Sequence, residues 1–116
     1  MMPLSPATRI YLASGATDLR RSFEGLGDLV THQFNQDPLS GNLFVFTNRR
    51  KNRVKLLYCD GTGTWVCAKR LGQGCFAWPK TDGPGALRIV AGELALLLTG
   101  VDLDRTQARP WWRQAA

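Results

Sequence analysis

Residues 42 to 71 carry three apolar runs in quick succession, NLFVFT, RVKLLYC and TWVCAKRL. Each has the length of a strand and is rich in β-branched and aromatic residues, and the connections between them are short. DGTG, between the second and third, is a hairpin signal. Runs this closely spaced can pair only as antiparallel neighbours, because a parallel pair needs a crossover of about a dozen residues or more. An antiparallel meander is therefore the expected centre of the fold, and the flanking segments have to cover it.

The flanks supply candidates. TRIYLAS is short and β-rich and is expected as a first strand. In GATDLRRSFEGLGDLVTHQF the residues Leu19, Phe23, Leu26, Val30 and Phe34 recur at three- and four-residue steps, which predicts an amphipathic helix over about 17–34. Thr17 is its expected cap, and Asp18 and Glu24 lie toward its positive end. Gly25 and Gly27 each weaken such a helix by up to about 1 kcal/mol, and mark a place where another element can pack close. DPLSG is a turn. CFAWP is expected as a further short strand ending at Pro79, and TDGPGA as a loop. LRIV leads into a second helix over about 91–99, with Gly100 as its stop. The tail from about 103 to 116 is expected to be irregular. The order strand, helix, meander, helix predicts an α+β fold with an antiparallel sheet of about four to six strands and two helices.

The 116 residues, 44% of them apolar, suffice for a single compact domain with one core. No apolar run approaches the roughly 18 residues of a membrane helix, and MMPLSPATRIYLASG lacks the basic lead and apolar segment of a signal peptide. A cytoplasmic protein without a membrane partner is the expectation. The cysteines, Cys59, Cys67 and Cys75, cannot all pair within one chain and are expected as reduced thiols. With His32 they could form a zinc site only at a spacing unlike any usual ligand pattern, so neither metal nor cofactor is expected.

Catalysis finds little support. The glycines at 61, 63, 72 and 74 do not form a phosphate-cradling loop that opens a helix, and no G-x-S-x-G occurs. His32 has no evident nucleophile beside it. Two or three of the nine acids, among them Asp18, Asp37, Asp60 and Asp102, could in principle share a metal, but Asp18, Asp37 and Asp60 each have a structural reason to be where they are, at a helix start, before a proline and in a turn; Asp18, Asp60 and Asp102 are the carboxylates to test for metal-dependent cleavage. The chain is not expected to be an enzyme.

The charge is more informative. The formal net charge is +6, and the stretch from Arg49 to Arg70 holds seven cations (Arg49, Arg50, Lys51, Arg53, Lys55, Lys69, Arg70) against Asp60 alone, which is +6 in one place; the other eight cations and eight anions cancel. The basicity is therefore a local feature, of the kind that grips a polyanion. Symmetrical pairing about each hairpin loop would gather Phe44, Phe46, Val54, Leu56, Tyr58, Trp65 and Cys67 on one sheet face. The other would carry Leu43, Val45, Leu57, Val66 and Ala68 together with Arg53, Lys55 and Arg70, with Arg53 opposite Arg70. Like charges directly opposite are destabilising unless solvent or an anion relieves them. Asn48 and Asn52 beside the cations are expected as turn residues. Trp111 and Trp112, flanked by Arg109 and Arg113, are candidates for pinning the tail to the core, for stacking on bases or for docking to a partner protein.

YLASGATDLRRSFEGL, DPLSGNLFVF, NRVKLLYCDGTG, KRLGQGCFAWP and LALLLTGVD together carry a resemblance. The chain resembles, from Tyr11 to about Asp102, the accessory protein called TnpB or "Orf two" of bacterial transposable elements of insertion-sequence family 66. The resemblance implies a cytoplasmic protein that assists transposition, while a separate, larger transposase carries the catalytic acids. It offers no catalytic residues to carry over. Cys59 stands where the family often has an aromatic residue, which argues further against a metal role for the cysteines. The expected function is a non-enzymatic accessory factor that binds DNA, at transposon ends, through the basic hairpin. The alternative is an adaptor that recruits or stabilises the transposase without touching DNA. A homo-oligomer is open in either case.

Overall fold

A computed structural model of the chain describes residues 5–80 and 85–100 and, as backbone, the two-residue strand at 113–114. The elements run β1 (Ile10–Ala16), α1 (Phe23–His32), β2 (Leu43–Thr47), β3 (Arg53–Cys59), β4 (Thr64–Arg70), β5 (Ala86–Ile89), α2 (Ala91–Leu98) and β6 (Arg113–Gln114). The strands form one sheet in the order β4-β3-β2-β1-β5-β6. The fold is α+β, as expected. The sheet, however, is mixed: β2, β3, β4 form the antiparallel meander, while β1 lies parallel to β2 and antiparallel to β5. Parallel pairing is possible because α1 is the crossover between β1 and β2.

Both faces of the sheet are buried at its centre. All five residues of β2 are buried, the signature of a strand covered on both sides. On one face Tyr11, Leu26, Val30, Phe34, Phe44, Phe46 and Leu57 form a core under α1. Its aromatic rings pack closely, with Tyr11 and Phe44 at 5.7 Å and Phe34 and Phe46 at 5.5 Å between centroids. On the other face Leu43, Val45, Val54 and Leu56 pack with Phe76, Trp78, Leu94 and Leu97 beneath α2. The register explains the division. β3 and β4 pair as expected, Arg53 with Arg70 and Leu56 with Cys67. β2 and β3 pair one residue away from the expected register, Phe44 with Leu57 and Thr47 with Val54. Phe44 and Phe46 therefore share a face with Leu57 and Lys55, not with Val54 and Leu56. The extra residue lies between the paired Thr47 and Val54, a stretch in which Lys51 adopts φ 58°.

Three further expectations are corrected. α1 starts at Phe23, not near residue 17. Asp18 turns the chain ahead of the helix by accepting from the Arg20 N–H, Ser22 is the cap residue, and Thr17 instead donates its N–H to Thr47. CFAWP is not a strand. Its backbone bonds to a loop, Phe76 N–H to Lys51 O at 2.6 Å, and Phe76 and Trp78 anchor it under the sheet. Of the two helix glycines, Gly27 does face another segment, with Pro38 3.7 Å from an added Cβ, whereas at Gly25 the Arg21 stem, 3.1 Å from an added Cβ, takes that place. Trp111, Trp112 and Asp102, and the expected irregularity of most of the tail, lie outside the described residues. The stop of α2 is as read: Gly100 has φ 84° and follows the last turn. Among the described residues no helix is long and apolar enough to cross a membrane.

Candidate functional site

The hydrogen-bond pattern of the β3–β4 hairpin places the central pair of cations. Asp60 N–H bonds Gly63 O at one end of the ladder, and Leu71 N–H bonds Asn52 O at the other. Hydrogen-bonded and non-hydrogen-bonded pairs alternate between these ends, which makes Arg53–Arg70 a non-hydrogen-bonded pair. Such pairs hold their Cα atoms about 4.5 Å apart and their side chains closest. Two guanidinium groups thus start side by side on the α1 face, and Lys55, two residues along, rises from the same face. Both arginines are exposed and Lys55 is half-buried.

These three residues line an open groove of about 890 Å³. Its lining also includes residues 16–20 and Arg49 and Arg50. Lys55 Nζ crosses to the Arg21 carbonyl at 3.1 Å and ties β3 to the segment before α1. Among the described residues, the only carboxylate lining the groove is Asp18. It forms a two-pronged ion pair with Arg20 at 2.8 Å. The side-chain hydrogen bonds from Arg20, followed by its backbone N–H, hold the Asp18 carboxyl far below the usual carboxylate range. Asp18 is therefore engaged locally and does not neutralise Arg53 or Arg70.

The structure divides the seven clustered cations. Arg49, Arg50, Arg53, Lys55 and Arg70 meet in the groove. Lys51 lines a separate recess with Ser14, Trp78 and Lys80. Lys69 also lines the groove, but it pairs with Val54 and so starts from the α2 face, where its Nζ donates to Leu98 O at 2.6 Å. A cation there complements the negative end of α2. Arg20 was missed from sequence because Asp18 cancels it in the charge count; the signal was its place in DLRR, just ahead of an amphipathic helix.

Asn48 and Asn52 are turn residues, as expected. Asn48 Oδ1 accepts from the N–H groups of Asn52 and Arg53, both at 3.1 Å, and its amide donates to Asn52 Oδ1 at 2.7 Å. Both side-chain oxygens are thus engaged within the loop. Asn48→Ala strips two backbone donors of their acceptor and is expected to lower stability by about 1–3 kcal/mol, read by urea unfolding; an unchanged midpoint would show that the loop does not need this bridge. Asp60 is likewise a turn residue. It accepts from the Trp65 indole at 2.8 Å and from Thr62 and Gly63, and the indole first, then these donors, lower its carboxyl far below its ordinary 3.8. Its contribution to stability is present above the unfolded-state value and is lost as pH falls toward the folded one. A side-chain carboxyl titration by NMR should give Asp60 a midpoint well below that of an ordinary aspartate, and an ordinary midpoint would contradict the bonding.

Cys59 and Cys67 are half-buried, and the exposed Cys75 thiol contacts Arg50 O at 3.2 Å. Among the described residues no three His, Cys, Asp or Glu side chains come together as a metal site would require.

Comparison with known proteins now identifies the family. The family described as "IS66 Orf2 like protein" matches residues 8–108. The chain belongs to the IS66 Orf2-like family. Two relatives from Sinorhizobium fredii agree along nearly the whole length. "Uncharacterized protein y4hO" is 38% identical over 113 residues, 97% of this chain and 96% of that protein. "Uncharacterized protein y4jC" is 36% identical over 110 residues, 95% and 93% respectively. No solved structure is significantly similar. Membership of the IS66 Orf2-like family points to an accessory role in transposition, and the family is not one of known enzymes.

Proposed function

We propose that this IS66 Orf2-like protein is a non-enzymatic accessory factor that grips transposon DNA by its phosphate backbone through the groove of Arg49, Arg50, Arg53, Lys55 and Arg70. One observation carries the reading: Arg53 and Arg70 oppose each other in a non-hydrogen-bonded pair, a repulsive arrangement that a phosphate relieves. Arginine suits this work, since its planar fork meets phosphate oxygens two at a time. Backbone contacts of this kind position a protein on DNA without reading its sequence, in keeping with Asn48 and Asn52 being occupied within their own loop. Lys51 and Lys69 fall outside the grip, and Lys69 serves α2 instead. The protein acts beside the element's transposase, in the cytoplasm.

A second reading uses the same groove. Because its contacts would be with charge and not with bases, an acidic face of the transposase could fill it, making the chain an adaptor; Trp111 and Trp112 would then be partner contacts. Co-purification from cells carrying the element separates the two. Under the DNA reading, nuclease treatment releases the transposase and the isolated chain retains duplex DNA. A complex that survives nuclease, with a chain that ignores DNA, selects the adaptor.

A further inference from the structure

Arg20 lines the same groove as the cations of the proposed grip, yet the chain has already matched it with a carboxylate. Arg20 Nε donates to Asp18 Oδ1 at 2.9 Å and Nη2 donates to Asp18 Oδ2 at 2.8 Å. These are two donors of the planar fork with which an arginine meets a phosphate. Burial does not demand the pair, since the Arg20 side chain is 91% exposed and that of Asp18 46%. Nor does the turn demand a charge. Asp18 Oδ1 accepts the Arg20 backbone N–H at 3.1 Å, a bond that the neutral oxygen of an asparagine makes as well. The negative charge of Asp18 is therefore surplus to the local fold. It sits in a groove whose other lining residues, among those described, are cationic or uncharged.

We propose that Asp18 is a built-in competitor for phosphate, which holds Arg20 in reserve and sets the affinity of the groove below what its cations alone would give. The inference rests on the reading of the groove as a phosphate grip and adds the restraint on that grip. Charge balance carries it. While the pair is closed, Arg20 offers no net charge to a phosphate. When Arg20 swings to a phosphate, which an exposed ion pair of small net stability permits, the Asp18 carboxylate is uncovered beside the same phosphates and repels them. Either way residues 18 and 20 together add nothing to counterion release. The grip is then that of Arg49, Arg50, Arg53, Lys55 and Arg70. An Asp18 that merely aimed Arg20 at DNA would have the opposite signature, because removing its carboxylate would weaken binding.

Asp18→Asn keeps the acceptor of the turn and removes the charge. On a duplex of the element's end sequence it should bind about 5-fold more tightly than the wild type at 0.15 M salt, with a log–log slope steeper by about 0.9, the effect of one added phosphate contact taken to contribute nothing near 1 M. Asp18→Ser, whose hydroxyl accepts the same N–H, should do the same. The double variant D18N/R20S restores the wild-type charge balance and should return affinity and slope to the wild-type values, with unchanged circular dichroism throughout. Asp28→Asn adds the same charge on the exposed side of α1, outside the groove, and should change affinity far less. Elution from immobilised heparin gives a readout free of DNA, in which D18N should need more salt than the wild type. A folded D18N or D18S chain that binds the duplex no more tightly than a wild type with its own slope of about −4 overturns the inference and leaves the phosphate grip standing. So does an equal gain from Asp28→Asn. If no variant binds DNA, the DNA reading fails and heparin decides: later elution of D18N upholds the competitor for another polyanion, and equal elution overturns it too.

Discussion

Replacing Arg53 and Arg70 together by serine is expected to weaken DNA binding while leaving the fold at least as stable. The two effects have opposite signs because they share one cause. With no anion present the guanidinium groups repel across the β3–β4 ladder, and removing both charges should raise stability by up to about 1 kcal/mol. With DNA present each group neutralises a phosphate, and each lost contact flattens the log–log salt dependence by about 0.9. Two lost contacts correspond to about a 30-fold weaker association at 0.15 M salt, taking the contacts to contribute nothing near 1 M. Filter binding or fluorescence anisotropy reads the affinity, and urea unfolding reads the stability. A double variant that is destabilised and keeps its affinity would mean that the pair supports the sheet and does not hold DNA. Lys51→Ser serves as the comparison, since Lys51 lies in another recess; its loss should change affinity far less.

Trp78→Ala should be the most damaging single substitution for the fold. Trp78 is 6% exposed and belongs to the core beneath α2. Its indole N–H reaches back to the Ala13 carbonyl in β1 at 2.8 Å. Truncation at such a site costs about 3–5 kcal/mol, a large share of the roughly 5–15 kcal/mol that holds a domain together. Trp78→Phe keeps most of the ring but leaves the buried Ala13 carbonyl without this donor, at about 1–3 kcal/mol. Urea unfolding of both variants separates packing from hydrogen bonding. If Trp78→Phe unfolds with the wild-type midpoint, the indole bond contributes nothing. Because Trp78 follows a segment without helix or strand, its loss would also show that 75–79 is a structural strap between β4 and β5.

The β3–β4 hairpin was legible in the sequence because DGTG closes it symmetrically, and Arg53 opposite Arg70 followed from that alone. The β2–β3 register was not. Nothing in TNRRKN announces that six residues, and not five, lie between the paired Thr47 and Val54, and that one extra residue moves Phe44 and Phe46 to the opposite face. A local pattern also could not show that β1 runs parallel to β2, since TRIYLAS reads alike in either direction. CFAWP has strand composition, but its apolar side chains fill a core from a loop. Residues 17–22 have helical spacing, yet Asp18 bonds the Arg20 N–H and closes a turn there. At the candidate site the total charge was legible and its partition was not. Lys69 is assigned to α2 by a helix end brought up from nearly thirty residues away, and Arg20 joins the groove although an adjacent aspartate balances it.

The salt dependence of DNA binding tests the central claim most directly. A duplex carrying the element's end sequence would be titrated with the wild-type chain from low to moderate salt. Engagement of four or five phosphates by Arg49, Arg50, Arg53, Lys55 and Arg70 predicts a log–log slope near −4. Absence of binding at low salt, or an affinity that does not change with salt, would contradict a phosphate grip at the groove.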